Sequence, residues 1–560
     1  MMGGGGGGGG PTQLLYSRRI GGAPPGNPPS EAVYDDATDA TTILGAAKLT
    51  GQTEGGWSIG ILEAVTGQEM ASYVDELGQS GKAEIAPRTN FLVGRIRKDF
   101  RDGQSAFGAI ATAVNRELGG SDLSTEVRSS AYSGGLDFFH EWGNRAWSVS
   151  GQLAGSRIAG EPEVIEDAQS SSARYYQRPD AHHIELDSTA TFLSGYTGNL
   201  EVRRQAGLHW RGNAEFSFTS PGFEVNDLGY QRNADRREAG ARIQYQENRP
   251  GDVFRRWDVS ADPKTSWNFN GDRLDTELGL RANFTFLNYW SSRLSYERTF
   301  ESMDDRLTRG GPLAKKPSAH QVSFNQTTDF SKPVSAFANV TYQWDEAGGS
   351  RTSYFANVGI KTSSTWEISL GPRLSINKSA AQYVTRVSDS EAVNTYERRY
   401  IFADLEQTTL SMDTRLNVTF TPNLTFEIYA QPFIATGDYG ALKELAGPGT
   451  FEFNRYGIDL GQVTEGEDEY GEYQLVDPDG AGPADSFTIY NRDFNRVSLR
   501  GTAVMRWEWR PGSTLFFVWQ QNRSSSNGYG DFDFSRDVDE LFAGDADNVF
   551  MVKATYWLGS

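Results

Sequence analysis

The sequence predicts an all-β fold: a transmembrane antiparallel β-barrel of about 24 strands, between roughly 22 and 26, with short periplasmic turns and long extracellular loops. Three observations predict it. Apolar and polar residues alternate over many long stretches, which is the period-two pattern of a strand with one apolar and one polar face. The connections between these stretches alternate between short and long. No apolar run is long enough for a transmembrane helix, yet mean hydropathy is −0.54 with 12% aromatic residues. That balance suits strands in which only every second side chain meets lipid.

Composition narrows the partners. The chain has 560 residues, with 62 Gly to serve many turns. It has no Cys, which excludes a disulfide framework and a thiolate metal site. A formal net charge of −20 argues against nucleic acid, which needs a cationic face, and predicts attraction for cations. The tract MMGGGGGGGG (1–10) has neither the basic region nor the apolar core of a signal peptide. It is set apart from the fold as artefactual or unassigned. Export to an outer membrane needs a signal, so the natural chain is expected to be longer at this end. Residues 11–40 form an N-terminal segment, either a first strand (QLLYSRRI) or an entry into the lumen, followed by a Pro/Gly-rich loop. The barrel occupies 41–560.

Its elements follow in order. Stretches 41–50 and 57–65 form a hairpin, then a Gly-rich polar loop spans 67–82, and 89–100 pairs with 106–115. Next, Tyr132, Gly134, Leu136, Phe138 and Trp142 share one side of a strand. A two-residue turn at Gly143-Asn144 would set Phe138 opposite Val149 and Leu136 opposite Gly151. Long loops are expected at 157–185 and 220–236. In 278–300 a three-residue connection pairs Phe286 with Trp290 and Ala282 with Leu294. Around 421–423 the apolar set Leu410, Met412, Leu416, Val418 and Phe420 meets Leu424, Phe426, Ile428, Ala430 and Pro432. A slip of one residue would scatter each set over both faces, so register is well specified. Short connections fall near 51–56, 101–103, 143–144, 204–207, 249–252, 287–289, 331–333, 361–365, 421–423 and 511–513. The largest loops are expected at 433–486 and 524–548.

The clearest hairpin is 496–523. Trp507, Trp509, Phe517 and Trp519 should lie on its lipid face, as should Trp290 in its own hairpin, at headgroup level. Arg500, Arg506, Glu508 and Arg510 should face the lumen, together with Asp413 and Arg415. The final stretch VFMVKATYWL closes the set. A soluble propeller would show a fixed repeat near 40 residues, and the sequence has none.

Five stretches carry a family resemblance: LLYSRRIG (14–21), ILGAAKLTG (43–51), SPGFEVNDLGY (220–230), FIATGDYGALKEL (433–445) and FNRVSLRGTAVMRWEWRPGSTLFFVWQQ (494–521). The chain resembles bacterial proteins that join a family-9-type carbohydrate-binding module to a C-terminal outer-membrane β-barrel domain of uncharacterised function. The resemblance implies a barrel in the bacterial outer membrane and supplies no catalytic residues. This sequence carries no such module ahead of Leu14.

Candidate chemistry is sparse. Asp477, Asp479 and Asp485 alternate with Gly and Pro in an acidic run, a pattern that calcium favours, though a plain solvated acidic loop explains it too. With a second acidic cluster at 531–540 they could hold divalent ions that bridge to lipopolysaccharide. His182, His183 and Glu185 read as solvated loop residues, since adjacent His side chains diverge. No other cofactor is expected, and no local motif marks an enzyme. The favoured function is passage or capture of a solute, such as an oligosaccharide or other nutrient. One alternative is a plugged barrel that serves as a platform for a partner protein or surface attachment. A weaker one is a membrane-embedded hydrolase built on His140 or His209. A TonB-dependent receptor fits poorly, because the residues before 41 are too few for a plug domain.

Overall fold

The computed structural model describes residues 13–361 and 363–558, so the glycine tract lies outside the described residues. Among the described residues, 22 strands belong to one large antiparallel sheet. In chain order they are β1 (Ile43–Gln52), β2 (Trp57–Thr66), β3 (Thr89–Phe100), β4 (Ser105–Arg116), β5 (Ser130–Trp142), β6 (Trp147–Ala159), β7 (Phe192–Arg204), β8 (Trp210–Thr219), β9 (Arg236–Glu247), β10 (Phe254–Trp267) and β11 (Arg273–Phe286). Then come β12 (Ser291–Thr299), β13 (Ala319–Thr327), β14 (Val334–Asp345), β15 (Ser350–Ile360), β16 (Trp366–Ser388), β17 (Arg398–Thr421), β18 (Leu424–Leu445), β19 (Phe453–Arg455), β20 (Phe494–Arg510), β21 (Ser513–Asn527) and β22 (Ala546–Thr555). Every expected short connection joins two of these strands. The segment at 13–20 is not one of them. It bridges Gln13 to Tyr230 and then turns as a short 3-10 helix, Ser17–Arg19.

Register follows the apolar alternation. Ala282 opposes Leu294, and the Phe286 amide donates to the Trp290 carbonyl at 2.8 Å. Val418 opposes Phe426 and Leu416 opposes Ile428. Trp507 opposes Leu515, and Met505 opposes Phe517. The β5–β6 hairpin differs from expectation by two residues: Phe138 opposes Gly151 and Leu136 opposes Leu153. The turn takes four residues, because Gly143, Asn144 and Arg145 all adopt positive φ (60°, 54° and 61°) before Trp147 re-enters the ladder. A shift of two preserves the face of every side chain.

The chain divides into two compact units. The first comprises Met1–Ile243, Asp262–Thr276 and Met303–Leu313. One face of its sheet is open and apolar, with Ile59, Ile61, Ile96, Phe107, Leu136 and Leu153 all exposed. The other face packs Ala64, Phe91, Val93, Val114 and Ile158 against a helix, α1 (Pro162–Ser170), and against Leu228. On that inner face Arg95 reaches over Gly108 to pair with Asp137. The polar loop expected at 67–82 is mostly strand, in a small sheet of Ala32–Asp35, Glu69–Asp75 and Ser80–Ala86.

The second unit holds the three longest strands, β16, β17 and β18, of 23, 24 and 22 residues. A strand crossing a bilayer needs roughly 9–11, so each runs well past that length. In β18 the extra length replaces the start of the loop expected at 433–486. Both faces are buried over 399–403 of β17 and over 434–437 and 442–445 of β18, around Ile401, Ala403 and Leu442, which removes the alternation that marks a half-buried strand. Arg399 pairs there with Asp389 at 2.5 Å and Glu444 at 2.8 Å.

Gly108→Val is expected to push Arg95 from Asp137 and cost about 1–3 kcal/mol, seen as earlier unfolding in urea. Gly94→Ala, where nothing lies within 4 Å of the added Cβ, should leave the transition in place.

Candidate functional site: the polar face and the segment locked on it

In the second unit the polar row is built by three neighbouring strands. β17 supplies Asp413 and Arg415, β18 supplies Tyr429 and Gln431, and β20 supplies Arg500 and Arg506. Pairing sets Tyr429 opposite Arg415 and Gln431 opposite Arg500. The Asp413 carboxylate accepts from the Tyr429 hydroxyl at 3.1 Å and from the Gln431 amide at 2.9 Å. The Arg415 guanidinium lies 5.2 Å from the Tyr429 ring centre. Arg506 pairs with Glu508 at 2.9 Å. Arg415 and Arg500 remain exposed. The surface therefore offers carboxylate acceptors, guanidinium donors and a ring face side by side.

Sequence reading placed Asp413, Arg415, Arg500, Arg506 and Glu508 on this row, and the ladder puts them there. Arg510 departs from it. A bulge lies between Glu508 and Arg510, and Arg510 donates instead to the Tyr556 hydroxyl at 2.7 Å. Tyr429 and Gln431 were missed. Their signal was present, since both alternate with Ile428 and Ala430. On the opposite face Trp507 and Trp509 are each 46% exposed, with Phe517, Trp519 and Trp290 exposed as well.

The first unit carries a different polar construction on its inner face. The segment Ser220–Tyr230, expected as a free loop, lies against the sheet. Its backbone meets that of β7 at Gly195, where an added Cβ would stand 2.1 Å from the Phe223 nitrogen. The Glu224 amide donates to Ser156 Oγ at 2.9 Å. Three guanidiniums then hold its two carboxylates. Arg174 pairs with Glu224 at 2.6 Å, while Arg116 and Arg128 pair with Asp227 at 2.8 and 2.6 Å. Burial by itself would raise the Asp227 carboxyl, but Arg128 and Arg116 outweigh it and hold the group down at about 2. Glu224 is also lowered: burial opposes ionisation, and Arg128 and Arg174 overcome it. Single-sequence reading had no access to this lock, because its partners lie about 50 to 110 positions away.

The metal and enzyme expectations fare differently. Among the described residues no three His, Cys, Asp or Glu side chains are grouped to hold a metal. Asp477 and Asp479 turn onto backbone amides, Asp477 to Gly480 at 2.8 Å and Asp479 to Ala484 at 3.0 Å, and Asp485 is exposed. Asp477 and Asp479 thus each close a turn with one carboxylate oxygen. His183 is not solvated either, since its Nε2 lies 2.8 Å from the buried Asp235. His140 Nδ1 lies 2.9 Å from Ser105 Oγ, and no carboxylate among the described residues bonds its ring.

Residues 11–559 match a family model described as a domain of unknown function, DUF5916. The chain belongs to that family. Comparison with curated proteins gives no match. Among solved structures, the siderophore receptor PirA from Acinetobacter baumannii is similar at 7% identity and a TM-score of 0.32, over 87% of this chain and 77% of that one. The copper transporter OprC is similar at 9% identity and a TM-score of 0.29, over 92% and 82%. Scores this low do not carry function from those proteins to this DUF5916 chain.

Asp227→Asn is expected to free the Ser220–Tyr230 segment at neutral pH, costing about 3 kcal/mol by leaving guanidiniums unpaired. The lowered Asp227 carboxyl makes the lock pH-dependent. Its stabilisation is full above the unfolded value of 3.8 and is lost as pH falls towards about 2. Protease cleavage within 220–230 should therefore stay slow down to pH 4 in the parent chain, and be fast at pH 7 in the variant.

Proposed function

We propose that this chain is a β-barrel of the bacterial outer membrane that captures a solute on its polar face and passes it inward. The observation that carries this reading is the division of the sheet into two faces. Trp57, Trp142, Trp147, Trp290, Trp366, Trp507 and Trp509 lie beside short turns and are between 38% and 46% exposed. In each unit, tryptophans at the turn end of an exposed apolar face suit an interfacial girdle. In lipid every backbone polar group must be bonded, so the sheet closes on itself with its short turns periplasmic.

The polar row favours a neutral, hydroxyl-rich solute, an oligosaccharide or similar nutrient. Carboxylate and guanidinium groups bond hydroxyls, and the Tyr429 ring accepts the apolar face of a sugar. A second reading is a plugged barrel serving as a platform for a partner protein or for surface attachment. The ion-locked Ser220–Tyr230 segment favours it, because a locked inner segment obstructs free diffusion.

Planar bilayers separate the two. Solute passage predicts steady open-channel current from the refolded chain, and Arg500→Glu should raise its cation-to-anion permeability ratio. A sealed bilayer with the parent chain and with Asp227→Asn would overturn passage in favour of the platform.

A further inference from the structure

Between β21 and β22 the chain forms a second helix, α2 (Phe534–Ala543), with Asp533 capping its start by accepting from the Arg536 amide at 2.9 Å. Leu541 is buried with Ile434 of β18 and Val497 of β20, with Leu410, Leu499 and Val538 beside them. Val497 and Leu499 stand in the same row as Trp507 and Trp509, since residues two apart on a strand share a face. The helix thus lies on the apolar face, at the end away from the 511–512 turn.

The row changes character at that end. Moving from the turn, β21 shows Leu515, Phe517 and Trp519, then Gln521, Arg523 and Asn527. Of these, Arg523 and Asn527 hold the helix. Arg523 donates to the Phe542 carbonyl at 2.7 Å, and the Asn527 amide donates to Glu540 at 2.6 Å. The buried Asn495 amide donates to the buried Asp537 at 2.6 Å. The helix begins where the apolar band stops.

Its own apolar stripe is wider than the sheet uses. Phe534, Val538, Leu541 and Phe542 fall on one helix face. Val538 and Leu541 pack on the sheet, while Phe534 and Phe542 are each 60% exposed. We propose that α2 is an interfacial lipid-binding helix, lying along the outer boundary of the bilayer with Phe534 and Phe542 in the acyl region and its charged side chains among the headgroups. The inference rests on the membrane reading above. Lipid is the occupant because the two rings continue the apolar row at the level where strand side chains turn polar, which is where hydrocarbon ends. Asp531 and Asp533 precede the helix and Asp537, Asp539 and Glu540 lie in it, with Arg536 its one cation. Apolar insertion, not charge attraction, therefore drives the contact, and it does not require anionic lipid.

The chain lacks cysteine, so Phe542→Cys, Asp539→Cys and Phe550→Cys each carry a single fluorophore. All three positions are exposed, and Phe550 opposes Trp519 on the apolar face. The full chain is refolded into phosphatidylcholine vesicles. Brominated acyl chains should quench the labels at 542 and 550, and aqueous iodide should quench the label at 539 alone. Quenching at 550 by brominated lipid but at 542 by iodide would overturn the helix inference and leave the membrane reading standing. Iodide quenching at both 542 and 550, with no bromine effect, would overturn the membrane reading and the inference with it.

Discussion

One constraint governs the rest: a strand that pairs on both sides has no freedom in where its side chains point. The antiparallel ladder bonds each N–H and C=O to a neighbour, and its pleat sends successive side chains to opposite faces. In β20 and β21 the ladder runs without a break from Asn495 and Asn527 to Glu508 and Thr514. Trp507 and Phe517 are thereby committed to one face, and Arg500 and Arg506 to the other. Slipping either strand by one residue would put guanidiniums among the tryptophans. The division that supports the membrane reading is thus a consequence of register, and register is set by short turns.

The same constraint explains what was legible in the sequence. Hairpins depend on local alternation and on a tight connection, so their positions and faces could be read directly, as at Ala282 with Leu294. The β5–β6 turn shows the limit. Alternation fixes the face, but the length of the turn depends on Gly143, Asn144 and Arg145 all adopting left-handed backbone, and nothing in a period-two pattern reports that. The outer half of β18 was read as loop because both of its faces are buried over 434–437 and 442–445, which erases the alternation. The acidic stretch holding α2 was read the same way. Its apolar residues have helical spacing, but the carboxylates between them dominate the composition.

The candidate site was half legible. Asp413, Arg415, Arg500, Arg506 and Glu508 were visible because they interleave with an apolar row. The lock on Ser220–Tyr230 was not, because it joins residues distant in sequence and uses charge where a core normally uses apolar contact. Arg174 and Glu224 are almost wholly buried together. Such a pair adds little net stability against an apolar alternative, yet losing one partner strands the other in a low-dielectric site. It therefore fixes where the segment sits more than it strengthens the fold. Glycine does the steric half of the work: Gly195 lets the segment's backbone lie directly on the strand.

The central claim is that one face of the sheet meets hydrocarbon and the other meets water. A nitroxide scan of single cysteines from Val497 to Arg510, in the chain reconstituted in lipid bilayers, tests it most directly. The account predicts that collision with oxygen peaks at the odd positions from Gly501 to Trp509, clear of α2, which covers Val497 and Leu499. Collision with a water-soluble nickel chelate should peak at the even positions from Ser498 to Glu508. Equal access to the nickel chelate at odd and even positions would contradict it.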